Sequence, residues 1–204
     1  MAAGANARAG IPFVGLTGGI GAGKSAALEA LERLGAATLS SDAVVHEILT
    51  SEDAGRELAE RLGADVAPGG RVDRDAVARV VFEDEGEREW LERYLWPKVG
   101  ERIAAWRAGL ESRERRPRAA VVEVPLLFES GMQAVFDFTI AVVAQDDLRA
   151  ERIDARGHSG VASRESRQLG QMEKAERADF AVRNDGTLEE LERDLAAVLA
   201  RIEA

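Results

Sequence analysis

Residues 18–25 read Gly-Gly-Ile-Gly-Ala-Gly-Lys-Ser. Four glycines, a lysine and a hydroxyl in eight positions suit one task, the cradling of an anion by main chain. Glycines let the backbone curl until successive N–H groups face one point. A helix starting at Lys24 adds the positive end of its dipole. The lysine can reach the outer phosphates of a nucleoside triphosphate, and the serine hydroxyl is a hard oxygen ligand suited to Mg²⁺. The spacing is G-x-x-x-x-G-K-[ST], so Gly19, Ile20, Gly21, Ala22, Gly23, Lys24, Ser25 and Ala26 form the candidate nucleotide-binding stretch. The competing reading is a Gly-rich turn holding Lys-Ser by chance, and lysine is scarce here, at three in 204 residues. A dinucleotide fingerprint fits worse, because Lys24 stands where the third glycine after Gly19 and Gly21 would be.

Several polar residues stand where a reaction would need them. Glu123 closes an apolar run, as an acid that holds Mg²⁺ through water would. A charged strand end near solvent is the competing reading. Arg152 and Arg156 lie four apart, on one face of an expected helix, in a pattern that also fits a solvated face. Asp42 follows the second expected strand, where it would cap the next helix. Asn184-Asp185-Gly186 reads as a turn.

The elements that must position these groups alternate. Apolar runs at 11–16, 37–40, 119–124, 138–143 and 180–182 read as strands. Helices are expected over 24–34, 146–156 and about 163–177. A last helix opens with Thr187, and Glu190 three residues later makes a capping box. Between about 43 and 110 helical periodicity runs on, through Trp90, Leu91, Tyr94 and Leu95 and beyond Pro97. The charged run 111–118 reads as a solvated loop. Continuous apolar strands alternating with helices argue for a parallel sheet covered on both faces. The expected architecture is therefore a three-layer α/β/α fold, a single domain over 11–204 with a helical insertion at about 43–110. Residues 1–10 lack the apolar stretch of a secretory leader and read as a disordered extension, so a cytoplasmic location is expected.

Composition narrows the function. A net charge of −10 disfavours a broad surface for nucleic acid or anionic membrane. No apolar run approaches the roughly 20 residues that cross a bilayer. With no cysteine and two histidines, thiolate and histidine-rich metal sites are excluded. The two asparagines, Asn6 and Asn184, begin no N-K-x-D base-reading motif, and there is no L-S-G-G-Q segment. A small-molecule kinase using ATP remains. A kinase for a nucleoside monophosphate and a non-catalytic nucleotide-binding regulator are the alternatives.

Three segments together carry a more specific likeness. Leu16-Thr-Gly-Gly-Ile-Gly-Ala-Gly-Lys-Ser25, Val124-Pro-Leu-Leu-Phe-Glu129 and Ala178-Asp-Phe-Ala-Val-Arg-Asn-Asp-Gly186 resemble, in order and spacing, the dephospho-CoA kinases. The resemblance implies a five-stranded P-loop kinase fold, an acceptor-binding helical insertion and a lid at about 146–178. It implies transfer of the γ-phosphoryl group of ATP, with Mg²⁺, to the ribose 3′-hydroxyl of dephospho-CoA, with no nucleic-acid or membrane partner. A monomer is the expectation.

Residue by residue, the resemblance makes Asp42 the base, Lys24 the phosphate-binding cation and Arg152 a lid guanidinium facing the transferring group. Arg156 is a further nucleotide contact, and Arg164 and Arg167 are weaker ones. Asn184 and Gly186 lie near adenine, with Ser25 and Glu123 on the metal side. The sequence departs from the family pattern at Ser40 (usually Asp), Ala26 (commonly Thr), His46 (often Arg) and Trp96 (often His before Pro). Trp96 is expected to pack inside the helical insertion.

Overall fold

The computed structural model describes residues 10–155 and 168–204. The chain divides into two compact units, one made of residues up to Leu39 and from Arg107 onward, the other of Ser40–Trp106.

The first unit is built on a five-stranded parallel sheet in the order β2-β3-β1-β4-β5. Its strands are β1 (Phe13–Gly18), β2 (Ala37–Ser40), β3 (Ala120–Glu123), β4 (Phe138–Val143) and β5 (Phe180–Arg183). All of β1 is buried, as are Ala120–Val122 and Thr139–Val143, which is why these segments read as unbroken apolar runs. β1 pairs with β3, Leu16 opposite Glu123, and with β4, Gly18 opposite Val142. Helix α1 (Lys24–Arg33) and the C-terminal helix bury Ala27, Ala30, Leu31, Leu191, Leu195 and Leu199 against Val14, Leu16, Val121, Ile140 and Val142. Five parallel strands end along one edge of the sheet, where ligands of open α/β sheets bind. The segments that leave β1, β3, β4 and β5 there are those singled out from the sequence.

Strand bounds shift slightly. The first strand begins at Phe13 and runs on through Gly18, and the last extends to Arg183. Helix α6 (Asp146–Ala155) follows β4. The helix expected over about 163–177 is helical only from Gln171, as α7 (Gln171–Arg177), among the described residues. Gly170 precedes it in an extended conformation, φ −54° and ψ 146°, which stops the helix from reaching further back. α8 (Leu188–Ile202) opens as expected. The Thr187 hydroxyl accepts from Glu190 N at 3.2 Å and Thr187 N donates to Glu190 Oε2 at 3.0 Å.

The second unit is helical: α2 (Ser41–Leu49), α3 (Glu52–Leu62), α4 (Arg74–Glu83) and most of α5 (Glu85–Glu111). The Ser51 hydroxyl caps α3 and the Asp73 carboxylate caps α4. Arg61 donates twice to Glu87, at 2.8 and 2.9 Å, and lies over the Trp90 ring, itself stacked on Tyr94. α5 continues through Pro97, its buried stripe running through Leu95, Val99 and Ile103. Trp96 corrects its expectation of burial: it is 53% exposed, because it sits one position, about 100° of helix, off that stripe. No helix among the described residues is long and apolar enough to cross a membrane.

Candidate functional site

The turn after β1 has the curled geometry that its glycines foretell. Gly21 and Gly23 have φ of 77° and 92°, in the left-handed region that side chains avoid. Space excludes side chains as well. A Cβ on Gly21 would meet the Arg149 carbonyl oxygen at 2.7 Å, and one on Gly23 would overlap the Asn184 amide. Gly23 is the N-cap of α1, which puts Lys24 and Ser25 in the helix's first turn.

The carbonyls of this turn are held from outside. Lys24 Nζ donates to Gly18 O at 3.1 Å and Gly19 O at 3.2 Å. Arg149 Nε donates to Ile20 O at 2.9 Å. Arg152 Nη1 reaches Gly21 O at 3.5 Å, and Asn184 Nδ2 donates to Ala22 O at 2.9 Å. Five successive carbonyl oxygens, Gly18 to Ala22, thus each accept from a side chain. Holding these carbonyls fixes the curled shape of the turn, the shape in which successive N–H groups of such a loop can face an anion.

The donors come from the ends of neighbouring strands. Asn184, 5% exposed, follows β5 and is fixed three ways. Its N–H donates to Val143 O, its amide to Ala22 O, and its carbonyl accepts from Arg152 Nη2 at 3.0 Å. The expected Asn-Asp-Gly turn is therefore a packed junction at Asn184. Beside it, burial works against the Asp185 carboxylate. Hydrogen bonds from Arg183 and from Gln145 N, with the charges of Arg183 and Arg152, nonetheless hold it below the ordinary carboxylate range. Gly186 is exposed, and a side chain there would strike the Glu190 carboxylate that caps α8.

Glu123 is half-buried at the end of β3, and Ser25 is exposed at the start of α1. Both offer oxygen, the donor type that Mg²⁺ takes. Among the described residues no group of three or more His, Asp or Glu side chains could hold a metal by itself. Ala26 is half-buried in α1 against the core. Arg156, Arg164 and Arg167 lie outside the described residues.

In the second unit Asp42 is exposed at the second position of α2. Asp42 does not cap α2 as expected: the N-cap position is Ser40, whose backbone is extended but whose side chain makes no capping bond, while Asp42 is already helical. The Asp42 carboxylate thus stays in water near the positive end of α2. His46, one turn on, lies 3.2 Å through Nδ1 from Arg74.

Around the glycine turn and the strand ends, Arg149 and the Lys174–Glu129 pair carry no mark in the sequence reading. Arg149 stands three before Arg152 on the same helix face, a spacing that could have flagged it. Lys174 is fully buried, donating to Pro125 O at 2.5 Å and to Glu129 Oε1 at 3.0 Å. Desolvation pulls its pKa below the ordinary lysine value, opposed by the hydrogen bond and charge of Glu129. The same Pro125 carbonyl accepts from Thr17 Oγ1 at 3.2 Å, just ahead of the glycine turn. The rarity of lysine and the closing glutamate of Pro125-Leu-Leu-Phe-Glu129 were the available signals.

The model of the dephospho-CoA kinase family matches residues 12–190. A dephospho-CoA kinase of Moorella thermoacetica is 38% identical over 191 residues, covering 92% of this chain and 89% of that one. One of Protochlamydia amoebophila is 35% identical over 187 residues, covering 89% and 92%. Among solved structures, a Thermus thermophilus protein superposes with a TM-score of 0.81 at 36% identity, covering 94% of this chain and 98% of that one. The dephospho-CoA kinase of Campylobacter jejuni does so with 0.68 at 24% identity, covering 94% and 96%, a likeness of fold.

Proposed function

Because the chain belongs to the dephospho-CoA kinase family, we propose that its Gly18–Ser25 loop holds the phosphates of ATP while Asp42 takes the proton of the acceptor hydroxyl. The activity is that of the family, phosphoryl transfer from ATP to dephospho-CoA, giving CoA and ADP. The observation that carries the assignment of the loop is its run of carbonyls held by side chains, with Lys24 and the start of α1 on the same turn.

In this reading the acceptor's ribose 3′-oxygen attacks the γ-phosphorus in line. The bond from that phosphorus to the β,γ-bridging oxygen breaks, and the electron pair leaves with ADP. The hydroxyl proton passes to the Asp42 carboxylate, which needs position more than strength because the transition state is loose. Lys24 exchanges its contacts to Gly18 O and Gly19 O for phosphate oxygens, and Arg152, beside Gly21 and Gly23, offsets charge on the transferring group. Asn184 and Gly186 border the adenine side. Mg²⁺, when bound with the nucleotide, neutralises phosphate charge; Ser25 would hold it directly and Glu123 through water. The second unit supplies the acceptor-binding region. The same reading has a monomer acting on two small molecules in the cytoplasm.

Asp42→Asn separates binding from chemistry. Its kcat should fall at least about a hundredfold, the usual loss on removing a general base, with the Kd for ATP within about twofold. Steady-state kinetics with calorimetric ATP titration reads both. Undiminished kcat would remove Asp42 from the role of base.

A further inference from the structure

We infer that Arg149 is a positioning residue for ATP, holding the glycine turn in its binding shape without touching the reacting atoms. The inference rests on the loop being the ATP site. Arg149 lies in the first turn of α6, its N–H bonded to Gln145 O, so its backbone is fixed by the helix. That backbone abuts Gly21, and the side chain then folds over the turn. Nε meets Ile20 O at 2.9 Å, and Nη2 would lie 3.3 Å from a Cβ on Gly19. The side chain is only 16% exposed, and Asp146 Oδ1 accepts from its Nη1 at 2.8 Å. Gln171 Nε2 in turn donates to that Asp146 oxygen at 3.0 Å while its amide brackets Ala144 through both N–H and C=O. The guanidinium is therefore oriented by a chain of contacts reaching to α7.

Ile20 is the residue that needs this help. Of the other carbonyls of the turn, Gly18 and Gly19 accept from Lys24 in the motif's own helix, Gly21 from Arg152 at 3.5 Å, and Ala22 from Asn184, just after β5. When Lys24 turns to phosphate it releases Gly18 O and Gly19 O. Arg149 and Asn184 then remain as the short side-chain contacts, 2.9 Å each, that hold the carbonyls of Ile20 and Ala22 and with them the shape of the turn. A guanidinium does this better than an ammonium, because its planar fork grips Ile20 O and Asp146 together. Its charge also lies next to the turn, where it favours an anion held there.

Arg149→Met and Arg149→Lys test the inference, with Lys24→Ala alongside. In Arg149→Met the KM and Kd for ATP should rise about tenfold, equivalent to about 1.4 kcal/mol. The KM for dephospho-CoA, measured at saturating ATP, and kcat should stay within about twofold. Arg149→Lys should recover only part of the ATP affinity. A lowered melting temperature with unchanged KM and Kd for ATP would reduce Arg149 to a structural contact and overturn the inference. Full recovery by lysine would overturn the grip on two partners. If Lys24→Ala keeps wild-type turnover, the loop reading itself fails. If Lys24→Ala is dead while Arg149→Met binds ATP normally, only the inference fails.

Discussion

Glu129→Gln puts the buried cation of Lys174 to a quantitative test. The substitution keeps the shape of the side chain and an oxygen for Lys174 Nζ and Leu169 N, and removes only the charge. Lys174 has no exposure, so its ammonium loses the charged partner that it contacts among the described residues while Pro125 O remains an acceptor. Stripping one partner from a buried pair costs about 3–5 kcal/mol. The lower end applies here, because the hydrogen bonds persist in the variant. The protein has one escape, deprotonating Lys174, at about 1.36 kcal/mol for each pH unit below the ordinary lysine value near 10.4. That caps the deficit at about 4.6 kcal/mol at pH 7 and about 1.9 at pH 9. The sign follows from proton counts. Lys174 already has a lowered pKa in the fold, and the variant lowers it further. The unfolded chain then holds the proton to higher pH than the folded one, and stability climbs with pH between the two values. Urea unfolding should therefore give a deficit of about 3 kcal/mol at pH 7 that shrinks below about 2 at pH 9. Glu129→Gln combined with Lys174→Met should recover most of it, since an apolar side chain replaces the stranded charge. A deficit that is equal or larger at pH 9, or a double variant weaker than the single, would refute the assignment of Lys174 as a buried cation sustained by Glu129.

Two further outcomes follow from the geometry. Gly23→Ala combines a φ of 92° with a Cβ that overlaps the Asn184 amide, and calorimetry should show ATP affinity reduced at least about tenfold, from roughly 1–3 kcal/mol of strain at the turn; wild-type affinity would mean the turn relaxes freely. Thr187→Ala removes half of the capping box and should lower stability by about 1 kcal/mol, or about 2–4 °C in melting temperature, with kcat unchanged, because α8 supports the core and not the loop.

Much of this fold was legible because its signals are local. A buried parallel strand, a capping box and a phosphate-binding turn each announce themselves within ten residues, and β4 and the Thr187–Glu190 cap appear as read. What the sequence concealed depends on distance along the chain. Lys174 and Glu129 are 45 positions apart, and nothing local says that a lysine will be buried. Arg149 meets Ile20 across 129 positions. Trp96 departs from its expected burial because residue type signals packing while the helical angle, one position off the Leu95–Val99–Ile103 stripe, sets the face. Asp42 suits a cap by type, but β2 runs directly into α2, so the N-cap position falls two residues earlier, at Ser40. For the nucleotide site, the motif named the loop, while the donors that hold its carbonyls came into view only when the strands were set side by side.

The most direct test of the central claim is product formation. Purified protein, ATP, Mg²⁺ and dephospho-CoA would be incubated together, CoA and ADP followed by chromatography, and the new phosphate located by ³¹P NMR. Ribonucleoside monophosphates would serve as parallel acceptors. The account predicts CoA and ADP in equal amounts, phosphate on the ribose 3′-oxygen, and no product from Lys24→Ala. ADP formed only with a nucleoside monophosphate, or ATP bound with no product from any acceptor, would contradict it.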